Sequence, residues 1–106
     1  MLIDFQQHDT PPELLKADAG KVTADLDRDG NPHYLLNPLL ADLPAHIRVM
    51  DEAGIDAAVL SCGVGFDQPD IAVCRTLNDR MHEAEAVYPG RFIGLAHVPA
   101  LKGTEA

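Results

Sequence analysis

Apolar positions in this chain fall into short unbroken runs and longer periodic stripes. Residues 2–5 are a run that stops at Gln6, Gln7 and His8, and read as a short buried strand. "DAAVLSC" (56–62) and "RFIGLAHVP" (91–99) are runs of the kind buried on both faces of a parallel sheet. Between them the period changes from continuous to helical. Asp42 can cap a helix running to about Ala53, with Ile47 and Met50 inward and Val49 and Ala53 on the flanks. Gly54 is its expected left-handed terminator, with Ile55 folding back onto the last turn. A second stripe, Ile71, Cys74, Leu77, Met81, Ala84 and Val87, recurs at spacings of three and four. Arg75, Asp79, Arg80, His82, Glu83 and Glu85 fall mostly off it. Asp67 is a fair N-cap for this helix, Pro69 suits its first turn, and "YPG" (88–90) stops it.

The remainder is less regular. "PPELL" (11–15) reads as a brief helical turn. Residues 20–37 alternate weakly around Asp29-Gly30, which predicts an extended hairpin or an irregular loop. Strand, insert, helix, strand, helix, strand means parallel strands joined by right-handed crossovers. The fold class is therefore α/β, in a single partial domain. Strand one and its insert occupy 1–41, helix–strand–helix–strand occupies 42–99, and 100–106 is a tail. Three strands leave a parallel sheet poorly covered, so the expectation is the opening units of a larger, incomplete (β/α)8 TIM barrel. In that arrangement His8, the segment from Ser61 to Gln68, and His97 all gather at the end of the sheet where barrels place their chemistry.

Composition narrows the function classes. Apolar residues make up 46% of the chain, enough to build a core. Eight basic against seventeen acidic residues give a net charge of −9, which argues against a nucleic-acid or anionic-membrane surface. No apolar run approaches the length of a membrane span, and the first residues lack the basic start of a signal peptide. Cys62 and Cys74 have no CxxC spacing and sit in apolar elements, so they read as reduced buried thiols. Cytoplasmic residence is the expectation.

The chemistry is concentrated in "FQQH". Gln6 and His8 are two apart, so in an extended backbone they point the same way while Gln7 points opposite. Imidazole is a good ligand for zinc; a carboxamide is a weak, neutral one. On spacing alone, a polar strand end bonded to nearby backbone is the simpler account. "IDFQQHDTPPELL", however, resembles the opening of the amidohydrolase-related superfamily, in its aminocarboxymuconate-semialdehyde decarboxylase-like branch. Members begin with Asp-x-His-x-His followed by Pro-Pro-Glu. "MDEAGIDAAVLS" and "LNDRMHEAEAVYPGRFIGLAHVP" resemble the next strand–helix units of that family.

The resemblance implies a (β/α)8 barrel holding a divalent metal, zinc or in its place manganese, that activates water or polarises a carboxylated substrate. It implies a decarboxylase or hydrolase acting on a small carboxylated, in some members aromatic, molecule. Asp4 matches the acid of the opening motif and His8 its second histidine. Gln6 stands where the first histidine belongs, with the shape of a glutamate but not its charge. The later metal-binding histidine and aspartate and the catalytic histidine have no counterpart within 106 residues, so the chain alone is expected to be inactive. His97, at the predicted end of strand three, and His33, after the insert's turn, are substrate-side candidates. His46 and His82 read as solvated helix residues.

Two other motifs fail on spacing. "DLDRDGNPHYLL" begins like a calcium loop, but Leu36 stands at the twelfth position and Pro32 interrupts it. "SCGVGFDQP" has two of the three glycines of a dinucleotide loop. Ser61 and Cys62 are nucleophilic residue types with no base beside them in sequence. The alternative functional reading is a non-catalytic α/β module that self-associates, as a homo-oligomer, or binds a partner through open sheet edges.

Overall fold

The computed structural model describes residues 1–15, 22–63 and 68–105. Strand β1 spans Ile3–His8, β2 Thr23–Leu26 and β3 Pro32–Leu36; helix α1 spans Leu43–Ala53, β4 Ala57–Ser61, α2 Ile71–Val87 and β5 Phe92–Gly94. Short 3-10 segments cover Pro38–Ala41 and Ala100–Glu105. Helix α1 begins where Asp42 Oδ1 accepts the Ala45 N–H at 2.9 Å. It ends at Gly54, whose φ of 70° only glycine adopts freely, and Ile55 donates back to the Met50 carbonyl at 2.8 Å. Helix α2 is capped by Asp70, whose Oδ1 accepts from Ala72 N–H at 2.8 Å. The expected cap, Asp67, lies outside the described residues, and the helix starts two residues beyond Pro69 rather than around it. The insert does form a hairpin, with β2 antiparallel to β3 and Gly30 closing the turn on Asp27 at 3.0 Å.

Strands β1, β4 and β5 make one parallel sheet in the order β1–β4–β5. Consecutive crossovers in one direction place both helices on one face, because each right-handed connection passes over the same side. The core shows this directly. Leu43 and Met50 of α1, and Leu77, Met81 and Ala84 of α2, join Ala58, Leu60, Cys62 and Phe92 in one cluster. Alternate β4 residues Ala57, Val59 and Ser61 turn to the opposite face. Among the described residues no helix lies on that face, and beside Val59 Ile93 is 48% exposed. The fold is thus α/β with parallel strand–helix units.

The expected strand 91–99 is shorter, Phe92–Gly94. Leu95 N–H still reaches the Leu60 carbonyl at 2.9 Å. Then the Asn78 carboxamide takes over: its Oδ1 accepts the His97 N–H at 2.7 Å and its Nδ2 donates to the His97 carbonyl at 3.0 Å. A side chain from α2 occupies both backbone groups that a ladder would use, so the strand stops.

Close packing of α2 on β5 depends on Gly94. A Cβ added there would lie 2.6 Å from Met81 Cβ, an atom fixed to the helix backbone. Gly94→Ala is expected to destabilise the fold by about 1–3 kcal/mol through overpacking, measured by chemical denaturation.

Candidate functional site

The site is built from the C-terminal ends of the parallel strands. Strand β1 pairs Asp4 with Ala58 but Gln7 with Leu60, so Phe5 and Gln6 together oppose Val59. This is a one-residue bulge. The N–H of Gln6 donates to Asp4 Oδ1 at 3.1 Å. Beyond the bulge Gln7 turns to the helices, where its Nε2 lies 2.6 Å from His46 Nδ1. His8 turns the other way. It opposes Ser61 in register, and Ser61 Oγ lies 3.1 Å from His8 Nδ1. Among the described residues nothing bonds His8 Nε2. Phe5 and Gln6 are exposed.

Behind this face lies a buried ionic group. Asp9 is fully buried, and both its oxygens meet Arg80 of α2, at 2.7 Å from Nε and 3.2 Å from Nη2. Arg80 also donates to the Ala41 carbonyl at 2.9 Å and to Glu83 at 3.0 Å. Burial opposes the guanidinium charge, but the Asp9 and Glu83 carboxylates outweigh it and raise the Arg80 pKa above its ordinary value. His46 Nε2 lies 3.6 Å from Asp9 Oδ1. Its Nδ1 accepts from Gln7, so its proton faces Asp9. Burial pulls the His46 pKa below the usual value of 6.5, against the attraction of Asp9. In sequence Arg80 falls off the apolar stripe of α2, and His46 reads as a solvated helix residue. Both turn inward instead, because a buried carboxylate at Asp9 must be paired.

His97 is 7% exposed and follows β5 by three residues rather than closing it. Its Nε2 accepts the Cys62 N–H at 3.2 Å, while Nδ1 is buried without a hydrogen bond. Burial lowers its pKa below 6.5. Cys62 Sγ in turn meets Thr10 Oγ1 at 3.6 Å, and both cysteines are free and buried. His97 thus joins the strand ends together rather than facing the open side.

Of the residues singled out in the sequence, His8 and Gln6 share the end of β1, and His97 lies behind them across β4. His33 belongs to β3 in the separate hairpin sheet, and its side chain lies outside the described residues. Ser61 gains the neighbouring base that its sequence context lacked. Among the described residues no three His, Cys, Asp or Glu side chains converge as a metal site. His8 offers a free ring nitrogen and Gln6 an exposed carboxamide, so the donors fit one edge of a divalent site, short of the usual three protein ligands. The residues missed in sequence, Asp9 and Arg80, carry no signal there beyond their type, and Ser61 stood out only as a nucleophilic type at a strand end. Their roles come from register.

Arg80→Met is expected to destabilise the fold by about 3–5 kcal/mol, because it strands the Asp9 charge in the interior. A double-mutant cycle with Asp9→Asn, measured by denaturant unfolding, should show strong coupling between the pair. The two lowered histidines set a pH dependence. Folded chains bind fewer protons than unfolded ones once pH falls below about 6.5, so stability is intact above that value and is lost progressively below it. The denaturation midpoint should fall between about pH 7.5 and about pH 5.5, where most carboxylates do not titrate, and His46→Gln should flatten that slope.

No protein-family model matches the chain, and no curated protein does. The site is therefore interpreted from its own geometry and from the resemblance carried by residues 3–15 and 42–99.

Proposed function

We propose that this chain supplies the N-terminal strand–helix units of a metal-dependent enzyme of the amidohydrolase-related type, a decarboxylase or hydrolase acting on a small carboxylated substrate. One observation carries the reading. His8 stands at the C-terminal end of the first of three parallel strands, turned away from the helices, with Nε2 unbonded among the described residues. That is the end and the side on which a closed barrel gathers its reacting groups. That α1 and α2 share one core on one face of the sheet supports the same architecture.

His8 would hold the metal through Nε2, and the Gln6 carbonyl oxygen would assist. When bound, the metal supplies a Lewis acid and an activated water at neutral pH. The chain's own part is to fix the imidazole, keep its backbone rigid through the Asp9–Arg80 pair, and seal the rear of the strand ends with His97, Cys62 and Thr10. The remaining ligands and the catalytic base come from outside the described residues.

Calorimetric titration with Zn²⁺ and Mn²⁺ tests the reading. Binding by the wild-type chain that weakens at least about tenfold in His8→Ala supports it. Equal binding, or none, in both proteins overturns it.

A second reading, a self-associating module, has one observation in its favour: Phe5 is 79% exposed on an edge strand, with Ile93 also uncovered on the open side. Light scattering decides between them. A stable dimer that Phe5→Ser dissolves, with no metal dependence, supports the module.

A further inference from the structure

In an unbroken strand, Asp4, Gln6 and His8 lie on one side. Asp4 pairs with Ala58, whose side chain belongs to the core beneath the helices. Regular alternation from Asp4 would therefore aim His8 at the helices. The bulge adds one residue and reverses the side. His8 then opposes Ser61, not Cys62. Two polar side chains secure this outcome. Asp4 Oδ1 accepts the Gln6 N–H at 3.1 Å inside the bulge, where the ladder is interrupted. Ser61 Oγ sits 3.1 Å from His8 Nδ1 and is itself buried.

We propose that Asp4 and Ser61 are positioning residues for His8. Asp4 holds the bulge that turns the ring to the open face, and Ser61 holds Nδ1 so that Nε2 is the atom presented to a divalent cation. This rests on the metal-centre reading above. A ring that ligates through Nε2 carries its proton on Nδ1, and Ser61 Oγ is the acceptor in register to take it. Without a cation, the same pair is satisfied when the Ser61 hydroxyl donates to Nδ1 and the ring proton sits on Nε2. With a cation on Nε2 the ring proton would sit on Nδ1 and the Ser61 hydroxyl would turn to accept it, so Ser61 can hold Nδ1 in either state.

The experiment is long-range ¹H–¹⁵N NMR of the His8 ring in the whole chain, at a pH where the imidazole is neutral, with and without Zn²⁺. Wild type should show a hydrogen-bonded Nδ1, and Zn²⁺ should shift Nε2 as the ligating nitrogen and protonate Nδ1. Ser61→Ala should change the Nδ1 shift in the metal-free protein and weaken Zn²⁺ binding about 10- to 100-fold, with Ser61→Thr restoring both. Asp4→Ala should remove the His8–Ser61 coupling, and Asp4→Asn, which retains an acceptor oxygen, should keep it. Circular dichroism and amide spectra confirm that each variant is folded; a variant that unfolds is judged by its conservative partner. Metal on Nδ1, or His8 shifts and affinity unmoved by Ser61→Ala, overturns the proposal. If Zn²⁺ does not bind wild type, the metal-centre reading fails, and the metal-free Nδ1 shift in Ser61→Ala still decides whether Ser61 positions the ring.

Discussion

A single extra residue in β1 governs how this molecule presents its chemistry. Parallel pairing with β4 leaves each β1 side chain only two directions, toward the helices or away from them. The bulge at Phe5 and Gln6 exchanges those directions for everything that follows. Gln7 is sent into the interior to meet His46, and His8 is sent to the open face to meet Ser61. Without the insertion the imidazole would compete for space with α1 and α2. The amide in the carboxamide chain Gln6-Gln7 that stays buried is thus chosen by register, not by residue type.

The reversal has a consequence for the next residue. Asp9 continues inward and is completely buried, a position that an ionised carboxylate tolerates only with a fixed counter-charge. Arg80 provides it with two contacts and anchors itself to the Ala41 carbonyl, so α2, the end of β1 and the segment before α1 share one charged group. His46 and Gln7 extend the network toward β1. The cost of breaking such a group exceeds its net contribution to stability, so it defines the geometry of the strand ends more than it adds to the total. Asn78 acts similarly two residues earlier on α2, ending β5 by occupying the His97 backbone.

These arrangements divide the strand ends into two sides. The helix side is closed: Asp9, Arg80, His46, Thr10, Cys62 and His97 direct most of their polar atoms at one another or at backbone, while His46 Nε2 and His97 Nδ1 are buried without a hydrogen bond among the described residues. Among the described residues the opposite side presents an imidazole nitrogen without a partner, an exposed carboxamide and the exposed side chains of Phe5 and Ile93. A rigid rear wall behind an adaptable front is what a ligand-binding face requires, since donors are useful only if their own rotamers are held. The same openness explains why an edge-pairing module is the competing account.

The amino-acid sequence by itself determined the elements. Local rules place the ends of α1 at Asp42 and Gly54, since a side-chain acceptor and a left-handed glycine act within a few residues. The stripe of α2 and the all-apolar β4 follow from periodicity, and they imply a parallel α/β layout with both cysteines buried. His8 and Gln6 were legible as a pair by type and by resemblance. Tertiary structure decided the rest. Spacing two apart set Gln6 and His8 in one direction, yet which face that is depends on the bulge, and a bulge depends on the partner strand. His46 read as solvated and Arg80 as lying off the apolar stripe, because periodicity sorts by hydropathy and cannot see a buried carboxylate on a distant strand. His97 could be read in sequence as a strand end facing a site or as a packed, hydrogen-bonded histidine, and Asn78 and Cys62, from elements far off in the chain, decide for the second. Ser61 lacked a base in sequence and found one 53 residues away. Contacts of that separation exist only once β1 and β4 lie side by side, which no local pattern encodes.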